Sequence, residues 1–482
     1  MWGESIYGLL PVPLQNLAVS LKGRQFHGDR YGTAHFSEMT RRLVRNERLS
    51  LESLKELQFS MFRQFAAHCF NNSPYYRRVW ESNDIHPNNI REPGDIRRIP
   101  IVPKEDLRAR TPEFLAVKNH RKLTPVHTSG TTGSPLTVYF SLEDIGQRHA
   151  FLERCRRWAG VRIGQKRATF TGRNIIPQNQ TKPPFWRYNR PGKQLLFSSY
   201  HLLPDNLSAY AAALQQFQPE IIDGYPSSIH IVAEHILRER NTGSIRPRAI
   251  LVSAETVFPH QRRAIERAFG AKLYNQYSSS EGAPFISECG SRRLHMHMDS
   301  GLTEIVDTQG NPAATGQVGQ MVVTSFTTHV VPLLRYAIGD TAIASVEGLC
   351  PCGLPFPTIE AIIGRIDDVL WSPDRGFVGR LDTIFKGVPS TILEAQIIQT
   401  SPENIVLSLV PDRTKYRRED AEQVVEEMRK KLGQTMAIRI EEVEDIPRST
   451  NGKMRSVVNL CPDLLPKALR YLGSEESSLT RT

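Results

Sequence analysis

Between about residues 100 and 362, short β-rich runs alternate with helical stretches and Gly/Ser turns, which restricts the chain to an α/β sheet architecture. EIIDGY (220–225), AILVSAE (249–255), TEIVD (303–307) and MVVTSF (321–326) read as strands, with helices expected at 207–217 and 260–269. Upstream, Leu51, Leu54, Met61, Phe62, Phe65, Ala66 and Cys69 recur near helical spacing, the pattern of a core-facing helix. Downstream of residue 365 a smaller unit begins. NIVLSLV (404–410) reads as a strand, and 418–432 as a helix with Val424, Val425, Met428 and Leu432 on one face and Gly433 as its stop. MAIRIEEV (436–443) reads as a second strand. The expected organisation is a helical region at 1–100 packed on a large domain, the core of that domain at 101–364, a small mobile α+β lid at 365–470, and a disordered polar tail at 471–482.

The length of 482 residues fits two or three domains, and 39% apolar with 23% charged residues supports a real core and excludes disorder for the bulk of the chain. The net charge of +11 suits nucleic acid, an anionic surface or a phosphate-bearing ligand alike. Basic residues are spread along the chain, the run from Arg41 to Arg48 included, and no helix-turn-helix, RNP or basic-zipper pattern occurs. Nucleic acid is therefore not an expected partner. No run approaches the ~18 apolar residues of a membrane span, so stable membrane insertion is not expected. The N-terminus carries Glu4 instead of a basic cluster and has no small-residue cleavage site, unlike a signal peptide. Six cysteines are too sparse for a disulfide framework, so a reducing, cytoplasmic location is expected, with Cys69, Cys155 and Cys461 as packing residues. Oligomeric state is not legible.

TSGTTGSP (128–135) is the strongest local signal. Its two glycines allow a tight turn that brings backbone N–H groups close to an oxyanion, and the hydroxyls of Thr128, Ser129, Thr131 and Thr132 add donors. No Lys follows Gly133, so this is not a Walker A loop. Downstream come YSSSE (277–281), RYAIGD (335–340), GRIDD (364–368) and IPRSTNGKMR (446–455).

In this order and at these separations the five motifs resemble the adenylate-forming superfamily of acyl-CoA synthetases, adenylation domains and luciferases. Within it they resemble the phenylacetate–CoA ligase and coenzyme F390 synthetase branch and its CapK-like, capsular-polysaccharide members, over about residues 90–460. The resemblance implies a large multi-sheet N-terminal domain, a small mobile C-terminal domain, and a ligase that forms an acyl-adenylate and pyrophosphate from ATP. The acyl group would then pass to a thiol, coenzyme A, or to an amine, in capsule or exopolysaccharide synthesis; an adenylyltransferase or amide ligase of the same fold is the alternative. Thr128, Ser129, Gly130, Thr131, Thr132 and Gly133 would hold the β- and γ-phosphates, with Thr132 also serving catalysis. Tyr277 would lie against adenine, Ser280 would line the nucleotide, and Glu281 would bind Mg²⁺, a hard cation suited to carboxylate oxygen. Asp340 would accept the ribose hydroxyls and Arg365 would reach the ribose or α-phosphate. Lys453 would bridge substrate carboxylate and α-phosphate, and Asp367 would be the hinge of the lid. Three features depart from the family pattern: Ser278 stands for a glycine, Ile338 for a hydroxyl residue, and the segment after Asp368 lacks the usual I-K-x-x-G run. The last leaves the acyl acceptor open.

Cys289, His295, Cys350 and Cys352 supply three soft thiolates and an imidazole in Gly/Pro-containing turns, the ligand set of a closed structural Zn²⁺ site, with His297 as a competing ligand.

Overall fold

A computed structural model describes residues 7–117, 123–127, 136–177, 180–255, 257, 259–307, 309–345, 348–365, 370–374, 376–378, 381, 384, 389, 391–448 and 454–461. Strands β1 (Thr124–His127) and β2 (Thr137–Phe140) form an antiparallel hairpin whose last pair, His127 with Thr137, flanks the Ser/Thr/Gly loop. Twelve further strands form one sheet: β3 (Arg167–Thr171), β4 (Trp186–Asn189), β5 (Gln194–Ser198), β6 (Ile221–Gly224), β7 (Ala249–Ser253), β8 (Leu273–Tyr277), β9 (Ile286–Glu288), β10 (Leu294–Met296), β11 (Gly301–Val306), β12 (Val318–Ser325), β13 (Tyr336–Ala344) and β14 (Thr358–Arg365). Their order is β11-β12-β13-β14-β10-β9-β8-β7-β6-β3-β5-β4. The run β5-β3-β6-β7-β8 is parallel and the other pairings are antiparallel. AILVS and QLLFS are buried nearly throughout, as parallel strands covered on both faces must be.

Helices Leu207–Phe217, Pro226–Arg238 and Pro259–Phe269 bury Tyr210, Ile229 and Ile265 against Phe170, Phe197, Ile222 and Val252 of the parallel strands. Helix Leu142–Trp158 starts at a capping box, in which Ser141 and Asp144 satisfy each other's backbone N–H groups. The N-terminal helices Val12–Tyr31, Ala34–Asn46, Leu51–Asn72 and Pro74–Glu81 pack on the sheet domain. Phe62, Phe65, Ala66 and Cys69 are buried as the helical spacing predicts, whereas Leu51 and Met61 are half-buried. Buried Arg154 donates to both oxygens of Asp299 at 2.7 Å, and Asn46 donates to the same carboxylate at 2.7 Å, tying a helix end to the sheet. Removing Arg154 would leave the Asp299 carboxylate buried without a counter-charge, whereas Arg154 pairs also with Glu47 at 3.1 Å. Helix Val12–Tyr31 also covers the sheet's free edge: Tyr188 N–H on β4 donates to Asn16 Oδ1 at 2.9 Å, and Arg190 N–H to Ser20 Oγ at 3.1 Å.

The C-terminal unit has a hairpin, β15 (Leu370–Ser372) with β16 (Gly376–Val378), and a four-stranded sheet. That sheet comprises β17 (Ile392–Ser401), β18 (Asn404–Pro411), β19 (Ala437–Glu442) and β20 (Val457–Asn459), ordered β19-β18-β17-β20. Helix Arg418–Leu432 buries Val424, Met428 and Leu432 on it, with Val425 half-buried, and ends at Gly433, whose φ is 89°. Cys155 is buried as expected of a packing residue, but Cys461 is only half-buried. No described helix is long and apolar enough to cross a membrane.

Candidate active site and metal cluster

The end of parallel strand β8 and the antiparallel pair β13 and β14 bring three of the five sequence motifs together. YSSSE follows β8 and turns sharply at Gly282, whose φ is 108°. A Cβ there would lie 2.3 Å from Thr328 Cγ2 and 3.3 Å from the Phe140 ring, so glycine is required and the loop hairpin lies against this turn. Tyr277 Oη donates to Asp340 Oδ2 at 2.6 Å and orients that carboxylate. Asp340 on β13 pairs in register with Arg365 on β14, so the two positions expected at the ribose are direct cross-strand neighbours. Ser280 is exposed at the turn.

Glu281 is buried beside a cation. Lys104 Nζ donates to Glu281 Oε1 at 2.8 Å and to the Ile338 carbonyl at 3.3 Å, joining the YSSSE and RYAIGD motifs. Burial alone would raise the Glu281 carboxyl, but the Lys104 charge and hydrogen bond, with a backbone contact, hold it below the ordinary carboxylate range. It is therefore a carboxylate at neutral pH. Arg148 cradles the same turn from behind, donating to the Gly282 carbonyl at 2.8 Å, the Ala283 carbonyl at 3.2 Å and Thr327 Oγ1 at 3.0 Å.

Glu255, just past β7, joins the two domains. It accepts from Ser227 N–H at 3.1 Å and from Met454 N–H of the C-terminal unit at 3.2 Å. Arg448 pairs with Glu394 within that unit and reaches Ser227 Oγ at 3.4 Å. Burial pushes the Glu255 carboxyl up and the Glu394 carboxyl to about 6. A cleft of about 810 Å³ lies beside this contact, lined by Leu203, Arg267, Ile392 and Arg448 among others. The phosphate-loop residues Thr128, Ser129, Gly130, Thr131, Thr132 and Gly133, the hinge candidate Asp367 and Lys453 lie outside the described residues, as does the Arg365 side chain. Lys104, Arg148 and Glu255 escaped the sequence reading; Lys104, opening a helix after IVP, carried the one local signal.

Cys289, His295, Cys350 and Cys352 come together, their ligand atoms all within 4.8 Å of one another. The Cys289 and Cys350 sulfurs are 3.7 Å apart. That is far beyond a disulfide bond of about 2.05 Å. It matches the edge of about 3.8 Å that a tetrahedron with metal–sulfur bonds of ~2.3 Å requires. His295 Nε2 lies 3.3 Å from Cys352 Sγ, while its Nδ1 contacts the Phe356 carbonyl at 2.7 Å, which orients Nε2 as the free ligand nitrogen. Ser291 N–H and Leu354 N–H point at the Cys289 and Cys352 sulfurs at 3.3 and 3.4 Å, as in a zinc knuckle. His297 is not part of the cluster. It is fully enclosed by Trp158, Phe151, Phe285 and Phe356, and burial keeps its imidazole neutral.

Comparison with known proteins decides the family. Staphylococcus aureus Protein CapK is 34% identical over 458 residues, covering 94% of this chain and 98% of CapK. The chain belongs to the CapK family. The model of the CapK C-terminal domain matches residues 370–460 of this CapK-family chain. Phenylacetate-coenzyme A ligase from Thermus thermophilus is 26% identical over 447 residues, covering 86% of this chain and 98% of the relative. The structure of 2-hydroxyisobutyryl-CoA ligase in the postadenylation state, with 2-HIB-AMP, superposes with a TM-score of 0.67 at 20% identity, covering 89% of this chain and 94% of that one. Its open conformation with 2-HIB-AMP and CoA gives 0.54. The likeness establishes the fold: a large sheet domain with a small C-terminal domain, as in adenylate-forming ligases, the class of enzyme to which the family is related.

Proposed function

We propose that this CapK-family enzyme activates a carboxylic acid with ATP and then passes the acyl group to a thiol, coenzyme A, with an amine as the alternative acceptor. The observation that carries this reading is the Tyr277–Asp340–Arg365 grouping beside the Glu281–Lys104 pair, which brings three separate motifs together on one sheet. The substrate carboxylate attacks the α-phosphorus, the bond to the bridging oxygen breaks, and pyrophosphate leaves with its electron pair; the acceptor then attacks the acyl carbon and AMP departs. Asp340 holds the ribose hydroxyls, Tyr277 orients Asp340, and Glu281 offers an oxygen to Mg²⁺, which neutralises phosphate charge when bound. Lys453 stabilises charge developing at the α-phosphate, and Thr132 and its neighbours in the 128–133 loop hold the leaving phosphates. The four Cys/His ligands hold a structural Zn²⁺. A role in capsule or exopolysaccharide synthesis fits this reading.

Purified protein should exchange labelled pyrophosphate into ATP with its acid and Mg²⁺, and a panel of acids with and without coenzyme A should identify the acceptor. No exchange with any acid would refute adenylation.

Two further outcomes are expected. In Lys104→Met, Glu281 loses its partner and burial then dominates, raising its folded pKa above the unfolded value. The wild-type carboxylate contributes stability above the unfolded pKa and loses it as pH falls; in the variant the sign inverts and stability falls as pH rises. The stability deficit, about 3 kcal/mol at neutral pH, should shrink toward pH 4 in denaturant titrations. A pH-independent deficit would contradict the pairing. Asp367→Pro should preserve one half-reaction and impair the other by at least about tenfold, measured as exchange against thioester formation; equal effects on both would remove the hinge assignment.

A further inference from the structure

On the sheet face covered by helix Leu142–Trp158, a second set of charged side chains lies beside the site. Arg167 on β3 pairs with Asp223 on β6 at 3.4 Å, and Arg156 pairs with Glu153 at 3.2 Å. Thr169 donates to Asp223 and accepts from Gln194 at 2.7 Å. The carboxylates here are thus already engaged. Arg30, from the first helix, and Arg173, just past β3, have no carboxylate partner among the described residues. Both stand over the one Phe26 ring, with Cζ 4.9 and 5.9 Å from its centroid. Arg30 is half-buried and Arg173 is exposed at the rim. Burial, followed by repulsion from Arg173, lowers Arg30 to about 10. Tyr31, the next residue, sets its ring 5.3 Å from that of His149, whose buried Nδ1 has no partner.

Two links run from this group toward the residues of the candidate site. His149 follows Arg148, which holds the turn after Glu281. Tyr225, at the carboxyl end of β6, lies within electrostatic reach of both Glu255 and Arg173. Two neighbouring guanidiniums without a counter-ion repel each other, and partial burial weakens the screening that water gives an exposed pair. A ligand that supplies the missing negative charge removes this cost.

We propose that Arg30 and Arg173 bind a second, distal anionic group on the acid that the enzyme activates, so that its substrate class is a carboxylic acid bearing a phosphate or a second carboxylate. The proposal rests on the adenylation reading for the fate of the other end of the substrate. The planar guanidinium fork matches either anion, and two guanidiniums, with Lys22 Nζ 5.0 Å from the same Phe26 centroid, favour a doubly charged group. A small apolar acid would leave both guanidiniums unpaired, so the pair discriminates against it.

Calorimetric titration of the full-length protein with glycerate, malate and 3-phosphoglycerate tests this directly. These probes share an α-hydroxy acid head and differ at the distal end. The wild type should bind malate and 3-phosphoglycerate at least about tenfold tighter than glycerate, and their ranking distinguishes a carboxylate from a phosphate ligand. Arg30→Gln with Arg173→Gln should abolish the preference. Arg173→Gln alone, at an exposed position that cannot disturb the core, should reduce it at least about threefold. Equal affinity for the three acids in the wild type, or an unchanged preference in the variants, would overturn the proposal. Pyrophosphate exchange is read separately: a binding preference without exchange would sink adenylation and leave the anion-binding arginine pair standing.

Discussion

Replacing Lys453 by alanine is expected to lower pyrophosphate–ATP exchange by about three orders of magnitude while ATP affinity changes less than about threefold. The reason is differential: a lone ammonium beside the α-phosphate gains most when charge builds there, and little in the ground state. The chain next to this lysine is anchored, because Met454 N–H donates to Glu255 at the end of β7, one strand from Tyr277. Glu255 thus holds the chain at Met454. Steady-state exchange together with equilibrium ATP binding separates the two effects. Exchange at the wild-type rate in Lys453→Ala would remove that residue from the chemistry, whatever the fate of the other motifs.

Cys350→Ser should reduce bound zinc from about one per chain to near zero and lower the melting temperature by about 10 °C. Cys289 sits after β9 and His295 on β10, while Cys350 and Cys352 occupy the loop before β14, so a bound ion ties three sheet segments together. The three thiols are buried or half-buried and free of disulfides, and they lie within reach of a single ion. Elemental analysis after chelator-free purification, with thermal melts of both proteins, reads the two effects. His297→Ala provides the contrast: it should retain zinc, because its ring faces the Phe285 and Phe356 cage. Metal-free wild type of ordinary stability would show that the cluster is only a set of buried thiols.

Local chemistry made much of this protein legible. Strand-length apolar runs and a helix ending at Gly433 depend on short-range rules, and those elements occur within a few residues of their expected positions. The site motifs were legible for a related reason: a glycine turn, a carboxylate after Gly339 and paired cysteines each require particular residue types at fixed spacing. Partners far apart in sequence were not. Lys104 meets Glu281 across 177 residues, and nothing in KEDL identifies the carboxylate it will face. His295 and His297 are two residues apart and chemically alike, so spacing could not choose between them. The end of β10 at Met296 does choose: His295 remains on the strand facing the cysteines, and the chain beyond turns His297 into the aromatic cage. The pairing of Asp340 with Arg365 likewise depends on the register of β13 against β14. The surplus charge of Arg30 and Arg173 exists only because folding places them together and engages the nearby acids elsewhere. Sequence determines which groups a chain can offer and where local structure begins and ends; electrostatic pairing and desolvation depend on distances that tertiary packing alone decides.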